Sequence, residues 1–296
     1  MSDHNHHHHD HNHSHGYHTH EDGSRHYDAV DLQARKIVEF ITAIAVELPL
    51  DAFIKDKKES FIEQMNIFTE AMLEANNHVR NYRVASKKIE KDFKKAAFAN
   101  PDRKGKDISQ ATPELTEEYI AYLNAIKPAL DSLVKMINIT IGSDFTEWDV
   151  NTKDGIVESG VKVLEYLEGL PKEQQDKLIG MADVVREALP SFSYLAELKN
   201  MAESADGSPL TPLTFQHQKK VVMPVLIQHE PGKYQELIGF LDNSLSYFIN
   251  FAVGILLRGL SYNQPGIVII RAADRHGIVA YRAVPIDMIT KKSAGK

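Results

Sequence analysis

From Phe61 the chain places its apolar residues in alternating steps of four and three: Phe61, Met65, Phe68, Met72, Ala75, Val79, Tyr82, Ser86, Ile89, Phe93 and Ala96. Ten of these eleven are apolar or aromatic, and neither Gly nor Pro interrupts the stretch from Ser60 to Ala99. A 3.5-residue repeat held this long predicts one continuous helix packed along a single seam. At 1.5 Å per residue, about 40 residues make a rod of roughly 60 Å. Ser60 and Glu63 fit a capping box at its start, with Asp51 an equal candidate. Extra apolar residues at Ile62, Ile67, Ala71 and Leu73 widen the first half, which is expected inside a bundle. The second half is thinner and carries Arg80, Arg83, Lys87, Lys88, Lys91, Lys94 and Lys95.

Upstream, Val30, Ile37, Val38, Ile41, Ile44, Ala45 and Leu48 predict a helix over Asp28–Leu48 that ends near Pro49. Downstream, Asn100 to Ala111 reads as a polar linker, and Thr112–Pro113 as an N-cap and first turn. Heptad steps resume at Leu115, Tyr119, Tyr122, Ile126, Leu130, Leu133 and Ile137, with a kink expected at Pro128 and an end at Gly142. This helix should fold back on the long one as a hairpin. Its acids Glu114, Glu117, Glu118 and Asp131, with others as far as Asp206, are expected to face the basic half. Shorter helices are predicted over Lys153–Leu170, Pro171–Leu189 and Ser191–Ala205, the last two opened by proline.

After Asp206–Pro212 the pattern changes. Val221–Ile227 predicts an edge strand despite Pro224. Ile267–Ala273 and Ile278–Val284 predict a strand pair around Asp274–Gly277, and a strongly hydrophobic helix over Tyr234–Leu260 precedes them. The fold class is mainly α: an elongated helical bundle with a long coiled-coil-like helical hairpin and a small C-terminal α/β portion holding a two- to three-stranded β element. Three parts follow: a His-rich tail over 1–26, expected to be disordered, the bundle over 27–205, and the C-terminal portion over 206–296.

Composition narrows the function classes. The 296 residues, 25% charged and 43% hydrophobic, suit a folded soluble protein. The absence of cysteine excludes disulfides, thiolate metal sites and cysteine nucleophiles. The N-terminus lacks the basic-then-apolar order of a signal peptide, so synthesis in the cytoplasm is expected, with release by a non-classical route left open.

Three features could carry chemistry. Eleven of the fifteen histidines lie in the first 26 residues. His4, His6, His7, His8, His9, His11, His13, His15, His18 and His20 form the candidate metal-binding set, with His26 close by. Neutral imidazoles bind Zn²⁺, Ni²⁺ and Cu²⁺, and a polar tail can offer two to four of them to one ion without a preformed site. No cofactor is otherwise required. Because free imidazole titrates near pH 6.5, acid would also charge this tail and draw it to an anionic membrane surface.

The second feature is Asn243–Leu257, fifteen residues without a charge. At about 22 Å this falls short of a roughly 30 Å bilayer core. It suits a central core helix, or a helix that packs in a soluble form and later inserts through Tyr247, Phe248, Phe251, Val253 and Leu256. The third is the basic run, with Arg80, Arg83, Lys87, Lys88 and Lys91 as a candidate interaction surface. Glu90 and Asp92 interrupt it and the chain's net charge is −7, which argues against nucleic acid.

No catalytic residue is assigned. His229, His276 and Asp274 could form a group, but the chain has no G-x-S-x-G, Walker loop, G-x-G-x-x-G or H-E-x-x-H, and an enzyme is not expected. The first reading is a structural or interaction protein that self-associates or binds a protein partner through long amphipathic helices, with a metal-binding tail. The alternative is a soluble α-helical protein that inserts into membranes, by architectural analogy with helical pore-forming toxins.

Overall fold

The computed structural model describes residues 18–19, 25–26, 32–42, 44–45, 48–99, 108–110, 112–203, 213–216, 220–222, 225–227, 234–264, 266–273 and 279–285. The chain is mainly α. Its helices are α1 (Leu32–Thr42), α2 (Leu50–Ile54), α3 (Lys58–Ala99), α4 (Pro113–Ile141), α5 (Val161–Gly169), α6 (Lys172–Lys177), α7 (Met181–Glu203) and α8 (Leu237–Tyr262). At 42 residues, α3 is about 63 Å long.

The heptad positions do what their spacing predicts. Phe61, Met65, Phe68, Met72, Ala75, Val79 and Tyr82 are each at most 3% exposed. They meet α4, whose Leu115, Tyr119, Tyr122, Ile126, Leu130, Leu133 and Ile137 are also buried. The hairpin is antiparallel. His78 of α3 bonds Glu118 near the start of α4, while Ala52–Lys57 lie beside Ile139–Gly142 at its end. Each large apolar side chain so buried contributes about 1.5–3 kcal/mol, which outweighs the penalties at local irregularities. Gly142 ends α4 at φ 77°, its N–H donating to the Asn138 carbonyl at 2.9 Å.

The centre of the bundle is α8, which packs against α1, α3, α4 and α7. Phe192 of α7 links its aromatic side chains. Its ring lies 5.5 Å from Phe248, 4.9 Å from Phe251 and 5.4 Å from Trp148, all edge-on. Phe68 of α3 meets Phe248 at 5.8 Å.

The strands form small antiparallel sheets: β1 (His18–Thr19) with β2 (Arg25–His26); β3 (Ile108–Gln110), β6 (Leu213–Gln216) and β7 (Lys220–Val222) together; β4 (Val150–Lys153) with β5 (Ile156–Ser159); β8 (Val225–Ile227) with β9 (Tyr234–Glu236); and β10 (Ile267–Ala273) with β11 (Val279–Pro285). The C-terminal pair matches expectation, Ile269 facing Ala283.

Several local expectations are corrected. The long helix begins at Lys58, so Ser60 lies inside its first turn and caps nothing. Thr112 precedes Pro113 as expected, but its hydroxyl makes no cap bond. The Asn100–Ala111 linker holds β3, paired with β6 across about 100 residues. Lys153–Leu170 opens with a hairpin before α5. The helix expected over Pro171–Leu189 breaks at Ile179 and Gly180, both at positive φ. Pro190 lies inside α7, where its exposed ring is tolerated because Val185, Ala188, Phe192 and Leu195 anchor both sides. Val221–Ile227 is two strands in two different sheets.

Tyr119 and Tyr122 tie stability to alkaline pH. Burial is the main cause that holds both phenols well above their ordinary value, and a 2.6 Å bond to Ser244 only partly offsets it at Tyr122. The Tyr119 hydroxyl is buried without a partner. A group whose value is raised by folding stabilises fully below its unfolded value, here about 10, and that contribution is lost as pH rises beyond it. The urea midpoint is therefore expected to hold to about pH 9.5 and to fall between about pH 10 and 12. Tyr119→Phe should blunt the fall. A flat midpoint through pH 12 would contradict this placement.

Candidate interaction surface and the central apolar helix

Side chains four apart share a helix edge, so Arg83, Lys87, Lys91 and Lys95 form one stripe on α3. The antiparallel register sets the start of α4 beside the beginning of this stripe. Glu114 shares a shallow depression there with Asn77, Arg80, Asn81, Val84, Ala85 and Lys88. From this level α3 continues past α4.

The candidate residues divide. Lys87, Lys88 and Lys91 are exposed and have no ion-pair partner among the described residues. Val84 sits among them at 62% exposure. Arg80 is half-buried and engaged. Arg83 turns inward, and its guanidinium donates to the carboxylate of Asp242 on α8. That pair joins residues 159 apart in sequence. Lys94 pairs with Glu90 on its own helix.

Of the acids expected to face the basic half, Glu114 lies beside Arg80 and Lys88, while Glu118 and Asp131 are engaged elsewhere. Glu118 bonds His78 Nδ1 at 2.7 Å and accepts from Asn81 at 3.4 Å. Asp131 takes Lys127 at 2.9 Å and the Trp148 backbone N–H at 2.9 Å. The register sets Glu118 a turn short of the stripe, and the acid that meets Arg83 comes from the apolar helix.

Polar groups fasten α8 mostly near its ends. At the N-terminal end Asp242 meets Arg83, and Ser244 Oγ lies 2.6 Å from the Tyr122 hydroxyl. At the other end Arg258 Nε donates to the Ile179 carbonyl at 2.9 Å, Asn263 donates to the Thr140 carbonyl at 2.6 Å, and Gln264 donates to the Ala52 carbonyl. Between them the Tyr247 hydroxyl donates to the Glu187 carbonyl at 3.2 Å. Of the membrane candidates, Phe248, Phe251 and Leu256 are buried, Val253 is half-buried and Tyr247 is 38% exposed. By length and composition α8 could cross a membrane, and half of its most apolar window is buried within the bundle.

Of the histidine set, only His18 is described, its backbone pairing with His26 in the β1–β2 ladder. His4, His6, His7, His8, His9, His11, His13, His15 and His20 lie outside the described residues, as do His229, Asp274 and His276. Among the described residues, no group of three or more His, Asp or Glu could hold a metal ion. An apolar cleft beside Trp148, between α4, α7 and the β4–β5 hairpin, measures about 190 Å³. That is below the ~300–1,000 Å³ of small-molecule sites. Asp242 and Trp148 are the residues that sequence reasoning missed. An acid set within an apolar run, and the chain's one tryptophan, were the available signals.

Comparison with protein-family models, with curated proteins and with solved structures found no match.

Proposed function

We propose that this chain is an interaction protein that docks through the lysine-rich end of α3, with the N-terminal histidines as a transition-metal-binding appendage. One observation carries the reading: the seam is filled from within the molecule through Tyr82 and again at Phe93, while Lys87, Lys88 and Lys91 remain exposed around Val84. Partner contact is therefore assigned to the basic edge rather than to the heptad seam. An exposed apolar side chain ringed by cations fits an acidic partner surface that also offers an apolar contact. A second copy of the chain has such acids exposed on α5 to α7, at Glu165, Glu173, Asp176 and Glu187. Such head-to-tail contact builds rings where its rotation closes and open filaments where it does not.

Light scattering of the full chain tests this with and without Zn²⁺. Association is expected at low salt and should weaken at high salt. It should be lost in Lys87→Glu/Lys88→Glu/Lys91→Glu and be enhanced by Zn²⁺ only while residues 1–26 are present. A chain that stays monomeric throughout, unaffected by Zn²⁺ or by removal of residues 1–26, would overturn the proposal.

A further inference from the structure

The extent of the uncharged part of α8 is set by one carboxyl group. Asn243–Leu257 is uncharged but reaches only about 22 Å. Leu237–Leu257 is 21 residues, about 31 Å, and matches a bilayer core of about 30 Å. Its sole charge is Asp242, and Glu236 and Arg258 bracket it as polar flanks.

In the folded chain that charge is answered. Arg83 of α3 pairs with Asp242, whose side chain is 35% exposed. Tyr122 of α4 also faces it electrostatically. Tyr194 of α7 meets this end of α8 through Phe240, with ring centres 5.8 Å apart. Arg83 opens the same stripe as Lys87, Lys91 and Lys95, so the cationic edge that an anionic surface attracts begins at the contact holding α8.

We infer that α8 is a proton-coupled membrane helix: at an anionic bilayer it leaves the bundle and spans as Leu237–Leu257, with Asp242 protonated and Arg83 released to the lipid headgroups. This activity goes beyond the partner docking proposed above and does not depend on it. Hydrocarbon penalises the charged carboxylate far more than the neutral acid. Insertion therefore takes up a proton at the carboxyl group that Arg83 contacts in the folded chain. Linkage then raises partitioning by up to about tenfold for each pH unit of acidification. The neighbours left behind are apolar side chains and a few polar fasteners near the helix ends.

The test uses the full chain with phosphatidylcholine vesicles containing 30% phosphatidylglycerol, at pH 7.5 and 4.5. The readouts are carbonate-resistant flotation and hydrogen exchange across α8. Wild type is expected to insert at pH 4.5 and to stay peripheral at pH 7.5. Asp242→Asn should insert at pH 7.5, at least tenfold above wild type. Arg83→Gln, which frees the carboxylate without neutralising it, should not insert at that pH. Because all variants keep the histidine tail, its own titration cancels in the comparison. Circular dichroism before mixing shows whether each variant is folded, and an unfolded Asp242→Asn leaves the wild-type pH dependence against Arg83→Gln to decide. Absence of insertion at both pH values in every folded protein would overturn a membrane role for α8. Equal insertion of wild type at both pH values, matched by Asp242→Asn, would leave the membrane role standing and overturn the part given to Asp242.

Discussion

Replacing Gly160 with alanine is expected to cost about 3 kcal/mol or more, a large part of a typical domain's stability. Gly160 joins β5 to α5 at φ 81°, in the left-handed region that a side chain disfavours. A Cβ there would stand 2.2 Å from Trp148 Cζ2 and 2.7 Å from Cε2. The indole cannot move aside. It is 1% exposed, its Nε1 donates to Ser159 Oγ at 2.8 Å, and its ring is wedged against Phe192 at 5.4 Å and Phe251 at 5.8 Å. Strain and overlap therefore act together. Gly155 separates them, because it has a similar φ of 79° with nothing within 4 Å of a Cβ. Gly155→Ala is expected to cost about 1 kcal/mol, the backbone part alone. Urea unfolding of both variants is the measurement. Equal losses at the two sites would contradict the packing of Trp148 against the β5–α5 junction.

The long elements were legible because one physical signal dominates them. At Phe61–Tyr82 and Leu115–Ile137 the repeat, the absence of glycine and the burial requirement agree, and the hairpin follows. The β4–β5 hairpin carries an equally local signal. Asp154–Gly155, both at positive φ, close a two-residue turn, and Asp-Gly between short strands is the strongest local hairpin signal. The helix expected over Lys153–Leu170 rests on the apolar spacing after Gly160, and the Asp-Gly turn confines it to α5. Pro190 misled in the opposite direction, since proline reads locally as a helix start whereas packing on both sides of it carries α7 through. The Arg83–Asp242 contact was out of reach by any local rule. It depends on where α8 enters the bundle relative to α3, which sequence spacing does not encode. The split of the basic run into an inward Arg83 and outward lysines follows from that contact.

The second large effect is expected at Phe251. Glutamate there should abolish the native fold at neutral pH, a loss of about 5 kcal/mol or more. Phe251 is 4% exposed and lies within ring contact of Phe192 at 4.9 Å and Trp148 at 5.8 Å. Among the described residues, the ring contacts of Phe251 are Phe192 and Trp148, neither of them a cation that could neutralise the new charge. Arg83 is engaged at Asp242, about two and a half helical turns from Phe251, and Arg258 is committed to the Ile179 and Gly254 carbonyls. Loss of the ring also removes two edge-on aromatic contacts, each adding about 0.5–1.5 kcal/mol beyond burial. Near-ultraviolet circular dichroism, which reports the packing of Trp148, should collapse in Phe251→Glu. A soluble variant with the wild-type spectrum would show that α8 does not occupy the centre of the bundle. Because burial alone predicts unfolding here, the substitution cannot distinguish a core helix from one that later inserts. Tyr247, on the exposed side of the same helix at 38% exposure, is the better site for that purpose. Tyr247→Glu gives up one hydrogen bond to the Glu187 carbonyl and a tilted ring contact with Phe192 at 6.3 Å, and should leave the fold standing. A loss of vesicle insertion in that folded variant would then be assigned to the membrane step, because the bundle that stores α8 is intact.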